Sequence, residues 1–257
     1  MGLSSNVIWH QTKFDAFKNI LKSGKFLCSY SLEKIRWRES EITVGIPMIS
    51  FCDLPISDMH EYLKANNSDK LIGKYGDCTI GLKREWAAKL GMSHVWYHDE
   101  KSEFLRRTLP NKNDLLKSLQ SKRNHNRWEL ISRIKPFMGE LESKDFKSYR
   151  FYDEKEIRYV PKPSELKKKN VCNILTQEEY DKYKEAASNK EKGSPLIPNI
   201  AITFKPFDIN YIFFSNEDHE NEIKQCIKGD FSHIIFMTYS RVVEEIIGTH
   251  HYRKDGS

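Results

Sequence analysis

Residues 150–160 read Arg-Phe-Tyr-Asp-Glu-Lys-Glu-Ile-Arg-Tyr-Val, a run rich in aromatic and branched residues that is typical of a β-strand. Side chains alternate between the two faces of a strand, so Glu154, Glu156 and Arg158 are predicted to share one face, with the carboxylates roughly 7 Å apart. Burying two carboxylates is costly unless each is paired or hydrogen-bonded. The pattern therefore predicts either a Glu-x-Glu site or an edge strand with a row of water-facing side chains.

Strands and helices alternate irregularly on both sides of this segment. Apolar runs that predict strands occur at 7–10, 46–52, 78–82, 199–204 and 209–214. Apolar residues at helical spacing follow Phe14, and Gly24 is placed to end that helix. The order shows neither a regular βαβ rhythm nor a glycine-rich phosphate loop, which argues against Rossmann and P-loop folds. We predict a single α+β domain over residues 1–257, with a mixed or antiparallel β core and flanking helices.

The composition is that of an ordinary globular protein, with 257 residues of which 39% are hydrophobic and 30% are charged. No apolar run approaches the ~20 residues of a membrane span, and the first residues lack the apolar core of a signal peptide. The five cysteines are scattered and form no C-x-x-C pair, which argues against a disulfide framework or a metal site. We therefore expect a cytoplasmic protein with no membrane partner and no metal.

The net charge of +6 is concentrated in residues 101–135, which hold ten Lys or Arg residues and three acids. Basic charge around an aromatic residue is typical of a surface that binds phosphates and stacks a base, and a solvated helix face is the alternative. We predict a basic helical insertion at about 101–135 and an exposed Lys/Glu-rich segment at about 162–194. The candidate nucleic-acid-binding residues are Arg106, Arg107, Lys122, Arg123, His125, Arg127 and Trp128.

Four ordered motifs resemble the AbiGi abortive-infection family of bacterial phage-defence proteins. They lie at 49–57 (Ile-Ser-Phe-Cys-Asp-Leu-Pro-Ile-Ser), at 75–86, at 151–161 and at 204–212. In the third motif the family usually shows Glu-Arg-Glu-Trp-Arg, whereas this chain has Lys155 and Ile157 between its acidic and basic residues. Because the family is described as an antitoxin, the resemblance implies a role in phage defence and a cognate toxin or antitoxin partner.

The motif order also resembles ADP-ribosyltransferases of the DNA-modifying DarT type. Those begin with a strand that carries a His followed by a Thr, and a helix that ends at a Gly, as His10, Thr12 and Gly24 do here. They place a catalytic Glu on a later strand, as Glu156 does. This resemblance implies a toxic effector that moves ADP-ribose from NAD to a nucleic acid, either RNA or single-stranded DNA. Residues 101–135 would then bind this nucleic acid and present it to the active site.

The same resemblance implies a role for each site residue. Glu156 would stabilise the positive charge that develops on the ribose when the nicotinamide bond breaks, the chemistry of glycoside cleavage. Glu154 would orient or deprotonate the acceptor, and Arg158 would pair with a carboxylate or the pyrophosphate. The other implied NAD contacts are His10 at the adenosine-side ribose, Thr12, Ser50, and Tyr30, Phe51 or Tyr75 stacked on nicotinamide.

Two other functions remain open. A non-catalytic antitoxin or sensor would keep the fold while leaving the carboxylates exposed and unpaired. A metal-dependent nuclease would use Asp153, Glu154 and Glu156, but strand alternation places Asp153 on the opposite face from the two Glu residues. The transferase hypothesis makes a sharper demand, because it requires His10 and Glu156 to line one cleft.

Overall fold

The structure, a computed structural model, describes residues 6–37, 40–63, 75–99, 101–120, 125–141, 146–186 and 195–254. The chain forms two compact units. Unit 1 comprises Met1–Lys25, Phe51–Gly91 and Thr203–Ser257, and unit 2 comprises Phe26–Ser50 and Met92–Ile202. The organisation of the chain as a single domain stays a prediction.

The strands are β1 (Val7–Thr12), β2 (Lys25–Trp37), β3 (Ser40–Cys52), β4 (Cys78–Lys83), β5 (Ser93–His94), β6 (Trp96–His98), β7 (Ile134–Pro136), β8 (Met138–Leu141), β9 (Phe146–Arg150), β10 (Glu156–Tyr159), β11 (Leu175–Thr176), β12 (Leu196–Thr203), β13 (Ile209–Phe214) and β14 (Ile235–Thr238). The helices are α1 (Phe14–Ser23), α2 (Met59–Leu63), α3 (Arg84–Lys89), α4 (Glu103–Thr108), α5 (Lys112–Gln120), α6 (His125–Ile131), α7 (Pro163–Lys168), α8 (Gln177–Ala186), α9 (His219–Cys226) and α10 (Tyr239–Lys254).

Unit 1 is built on a largely antiparallel sheet. Strand β4 lies between β1 and β13, antiparallel to both, and β14 runs parallel to β13. Buried side chains of β1 and β13 pack with those of α2 and α10 in one hydrophobic core, in which Trp9 stacks on Phe213. Helix α1 ends where the sequence predicts, because Gly24 adopts the left-handed conformation (φ 62°) that glycine tolerates best.

Strand β4 contains a glycine because the ring of Trp9 covers that position. Gly81 lies opposite Trp9 in the β1–β4 ladder, and a Cβ built at residue 81 would approach the indole ring to 2.6 Å. We expect Gly81→Ala to lower the unfolding free energy by about 1–3 kcal/mol, the usual cost of overpacking a core. Chemical denaturation measures this, with Gly248→Ala as the control, since a Cβ at residue 248 meets nothing within 4 Å. Equal losses in the two variants would contradict this account of Gly81.

Unit 2 is organised by the long antiparallel ladder of β2 and β3, which pairs Ser29 with Met48 at one end and Trp37 with Ser40 at the other. Strand β12 pairs with β2, and β10 and β11 pair with β3. Strand β10 also pairs with β5, so β10 has a neighbouring strand on each side. Two small sheets, β6 with β7 and β8 with β9, and helices α4 to α8 complete the unit.

The predicted α+β class, with a mostly antiparallel β structure and flanking helices, is confirmed by both units. In the part of the chain that the structure describes, no helix has the length and apolar character needed to cross a membrane.

Candidate active site

The predicted strand at 150–160 is wrong for its first half. Residues Phe151–Glu154 form a 3-10 turn, and Lys155 adopts a left-handed conformation (φ 45°), so that β10 starts only at Glu156. The Lys155 ammonium lies 3.3 Å from the centroid of the Tyr152 ring, and its amide donates to the Tyr152 carbonyl. Glu154 and Glu156 therefore lie near one another because of this turn and not because they alternate along one strand.

Five ionisable side chains of unit 2 form a buried group that we call the charge cluster: Glu33, Lys135, Glu154, Glu156 and Arg158. Glu154 and Glu156 are 5% and 4% exposed, and β10 is paired on both sides. The alternative of an edge strand with water-facing carboxylates is therefore wrong. The cluster places three carboxylates around two cations.

Lys135 connects the two acids of the Glu-x-Glu motif. Its ammonium donates to Glu154 Oε2 at 3.0 Å and to Glu156 Oε2 at 2.6 Å. The lysine reaches them from β7, which pairs with β6 so that Tyr97 lies opposite Lys135. One cation thus holds both carboxylates in a fixed relation, and the Tyr149 hydroxyl adds a hydrogen bond to Glu154.

Arg158 is fully buried and fixes Glu156 from the other side. Its Nε donates to Glu156 Oε1 at 2.7 Å, and its Nη2 donates to Glu156 Oε2 at 3.2 Å and to Glu33 Oε1 at 2.7 Å. Its Nη1 donates to the Ser132 carbonyl. The predicted pairing of Arg158 with a carboxylate is present in this structure, and a rigid guanidinium fork of this kind sets the orientation of Glu156.

Two further hydrogen bonds fix Glu156, one accepted by its carboxylate and one donated by its backbone. The Ser50 hydroxyl donates to Glu156 Oε1 at 2.7 Å, and the backbone N–H of Glu156 donates to the Tyr97 hydroxyl at 2.8 Å. With Lys135 and the two bonds from Arg158, the carboxylate has four donors, which fill its acceptor positions. Glu156 is therefore held in one orientation at the centre of the cluster.

The cations of the cluster keep Glu156 ionised. Burial alone raises the pKa of a carboxyl, but the attraction of Arg158 and Lys135 outweighs burial and holds the pKa of Glu156 well below its usual range. Burial lowers the pKa of Lys135, and the carboxylates of Glu156 and Glu154 reverse that effect and raise it. Both groups are charged at neutral pH.

Glu33 shares the same arginine and shows the opposite shift. Burial raises its pKa, and Arg158 only partly offsets that effect. Glu156 accepts hydrogen bonds from both Arg158 and Lys135, whereas Glu33 accepts one from Arg158 and is repelled by Glu156 and Glu154. A proton on Glu33 would bring the cluster from three carboxylates and two cations to a neutral group.

Several predicted NAD-binding residues belong to unit 1. His10 and Thr12 lie on β1, and the half-buried His10 ring contacts Phe51, 5.4 Å between centroids. Tyr75 is 41% exposed, and its backbone N–H donates to the side chain of Gln11. Glu156 belongs to unit 2, so its meeting with His10 in one cleft stays a prediction.

The three aromatic candidates for stacking on nicotinamide differ in exposure. Tyr30 and Phe51 are each 1% exposed; Tyr30 donates its hydroxyl to the Cys172 carbonyl, and Phe51 packs on Trp86. These two rings are used for packing in this structure, which contradicts their assignment to nicotinamide. Tyr75 has an exposed ring, and its stacking role stays a prediction.

The basic segment contributes to the interior as well as to the surface. Trp128 is 2% exposed and donates its indole N–H to the Asn173 carbonyl, so its predicted role in base stacking is wrong. Arg106 and Arg107 are exposed and pair with Glu103 within α4, and Arg127 is half-buried. Lys122, Arg123 and the side chain of His125 lie outside the described residues.

Sequence reasoning missed Glu33 and assigned Lys135 only to a basic surface. No local pattern marks either one, because both act through partners far along the chain. For the nuclease hypothesis, Asp153 is exposed and pairs with Arg150, apart from the buried Glu154 and Glu156. Among the residues described, no group of three His, Cys, Asp or Glu side chains is placed to hold a metal ion.

Three solved structures of DarT from Thermus sp. 2.9 are similar to this chain. The complex with NAD+ has 12% identity and a TM-score of 0.35, covering 91% of this chain and 94% of that chain. The complex with ADP-ribosylated ssDNA has 11% identity and a TM-score of 0.36, covering 90% and 93%. A comparison with curated proteins finds no match.

A match to one family model covers most of the chain. The family model described as "Putative abortive phage resistance protein AbiGi, antitoxin" matches residues 25–215. The chain belongs to the AbiGi family, as its four motifs predict.

Proposed function

We propose that the protein is an NAD-dependent ADP-ribosyltransferase of a phage-defence system, acting in the bacterial cytoplasm on RNA or single-stranded DNA. The observation that carries the proposal is Glu156, a carboxylate kept ionised and fixed by Ser50, Lys135 and Arg158. A preorganised negative charge of this kind is what cleavage of a ribose–nitrogen bond requires, because positive charge develops on the ribose.

In the proposed reaction the bond between ribose C1′ and the nicotinamide nitrogen breaks, and neutral nicotinamide leaves with the bonding electrons. The Glu156 carboxylate stabilises the resulting cation through a hydrogen bond to a ribose hydroxyl. An oxygen or nitrogen of the acceptor then attacks C1′ and gives its proton to Glu154. Glu154 is suited to this role because Lys135 holds it beside Glu156.

Binding a ribose hydroxyl requires Glu156 to release one of its present donors. Ser50 is the donor we assign to this step, because its hydroxyl carries no charge and has Met48 Sδ as a second partner at 3.6 Å. Rotation of the Ser50 hydroxyl toward Met48 opens an acceptor position on Glu156 Oε1. Arg158, which is fully buried, keeps the carboxylate oriented while this happens.

The proposal is tested by incubating the full-length protein with NAD and single-stranded RNA or DNA. We expect release of nicotinamide and a gain in oligonucleotide mass of one ADP-ribose. Omitting the oligonucleotide should lower nicotinamide release, because the acceptor takes part in the reaction. No product with either nucleic acid, under conditions where the protein is folded, would contradict the transferase function.

A second candidate is a non-catalytic antitoxin or sensor that binds a cognate toxin or a phage protein. This candidate predicts exposed and unpaired carboxylates, whereas Glu154 and Glu156 are buried and paired, which contradicts that expectation. The description of the AbiGi family as an antitoxin agrees with this candidate. Expression of the chain alone should then be harmless to the host, whereas an active transferase should slow growth.

A further inference from the structure

Unit 2 contains a surface groove that none of the predicted site residues explains. It has a volume of about 500 Å³, and its lining includes Trp96, Tyr97, Lys101 and Phe104. Trp96 is 58% exposed and Phe104 is 55% exposed. A single exposed aromatic ring is ordinary on a protein surface, but two that border one groove offer a stacking surface to a flat ligand.

The groove lies one strand away from the charge cluster. Strand β6, which carries Trp96 and Tyr97, pairs with β7, so that Tyr97 lies opposite Lys135. The Tyr97 hydroxyl accepts the backbone N–H of Glu156 at 2.8 Å. A ligand in the groove would therefore reach the neighbourhood of Glu156 without leaving unit 2.

The charge beside the groove favours an anionic ligand. Lys101 lies in the lining, and Arg106 and Arg107 are exposed on α4, the helix that also carries Phe104. Glu103 accepts from Arg106 at 2.8 Å and lies 3.5 Å from Arg107, which offsets one of these charges, and Asp99 also lines the groove. The lining and α4 together hold three cations and two acids, so the net charge beside the groove is +1.

We propose that this groove binds single-stranded nucleic acid, with bases stacked on Trp96 and Phe104 and a phosphate held at Lys101. Aromatic rings interleaved with cations are the usual way in which proteins hold unpaired bases and their backbone. The proposal rests on the proposed function, since it names where the acceptor strand lies. It also assigns base stacking to Trp96 and Phe104, whose rings are exposed, instead of to the buried Trp128.

The test measures binding of a short fluorescent single strand to the full-length protein by anisotropy, without NAD. We expect Trp96→Ala and Phe104→Ala each to weaken binding about tenfold, within the range for loss of one stacked base. The matched control is Phe207→Ala, which removes an aromatic ring that is 70% exposed in unit 1 and should leave the affinity unchanged. A duplex of the same sequence should bind more weakly, because its bases are already stacked.

Salt provides the second measurement. Lys101→Gln should reduce the slope of log affinity against log salt by about 0.7, the value for one phosphate contact on a single strand, and the exposed Lys228→Gln should not. Two results would contradict binding of single-stranded nucleic acid in the groove. One is an affinity within twofold of the wild type for both Trp96→Ala and Phe104→Ala, and the other is equal binding of duplex and single strand. Binding that depends on Trp96 in a protein without transferase activity would instead contradict only the proposed function.

Discussion

An Arg158→Met variant is expected to lose about 3–5 kcal/mol of unfolding free energy, the usual cost of removing one partner from a buried ion pair. Arg158 has no exposed surface and donates to Glu156, to Glu33 and to the Ser132 carbonyl. Methionine fills a similar volume but leaves Lys135 as the only cation among three buried carboxylates. The carboxylates would then take up protons or admit water, and either response destabilises unit 2.

Urea denaturation followed by circular dichroism measures this loss, and the chain offers a matched control. Arg150 pairs with Asp153 at the same 2.7 Å distance but on the surface, so Arg150→Met should cost less than about 1 kcal/mol. Adding Glu156→Gln to Arg158→Met should restore part of the lost stability, because it removes one of the unpaired charges. If Arg158→Met and Arg150→Met cost the same, the buried cluster contributes no more than a surface pair.

Part of the fold can be predicted from local patterns. Apolar runs locate β1, β4 and β13, and Gly24 ends α1, because both signals depend on residues that are close in sequence. The pairing of Glu156 with Arg158 also follows from local spacing, since the two residues are adjacent positions on one face of β10. Family membership rests on ordered motifs and was equally accessible from the sequence.

Other features depend on interactions that local spacing does not contain. Strand β2 is difficult to predict because its buried positions change phase, from Phe26, Cys28 and Tyr30 to Ile35 and Trp37. The turn before β10 depends on a lysine in a left-handed conformation, which sequence rules expect mainly of glycine or asparagine.

The cluster itself depends on residues far apart in the chain. Glu33 is 125 residues from its partner Arg158, and Lys135 is 21 residues from Glu156. A surface interpretation of Lys135 was reasonable because five of the described cations in the same segment are exposed: Lys101, Arg106, Arg107, Lys112 and Lys117. Only the pairing of β6 with β7 turns this lysine toward the carboxylates.

The Glu156→Gln variant is expected to lower kcat for nicotinamide release on the order of 10²–10³-fold, the loss typical of removing one preorganised electrostatic group. The KM for NAD should change much less, because the carboxylate acts on charge that is present only in the transition state. Asp153→Asn is the matched control: it neutralises an acid three positions away that is exposed and pairs with Arg150. A variant that is folded at the assay temperature and as active as Asp153→Asn would show that Glu156 is not catalytic.

The pH dependence of the unfolding free energy provides a second test of Glu156→Gln. It shows whether the Glu156 carboxylate is ionised in the folded protein. Because the pKa of Glu156 is lowered in the folded state, its stabilising effect is complete above the ordinary value of about 4.3 and is lost as the pH falls below it. Glu33 has the opposite sign: its raised pKa favours folding at low pH and loses that effect as the pH rises. The unfolding free energy of the wild type should therefore fall more steeply between pH 5 and about pH 3 than that of Glu156→Gln. Parallel curves would mean that Glu156 is not held ionised by Arg158 and Lys135, which would remove the physical basis of its proposed catalytic role.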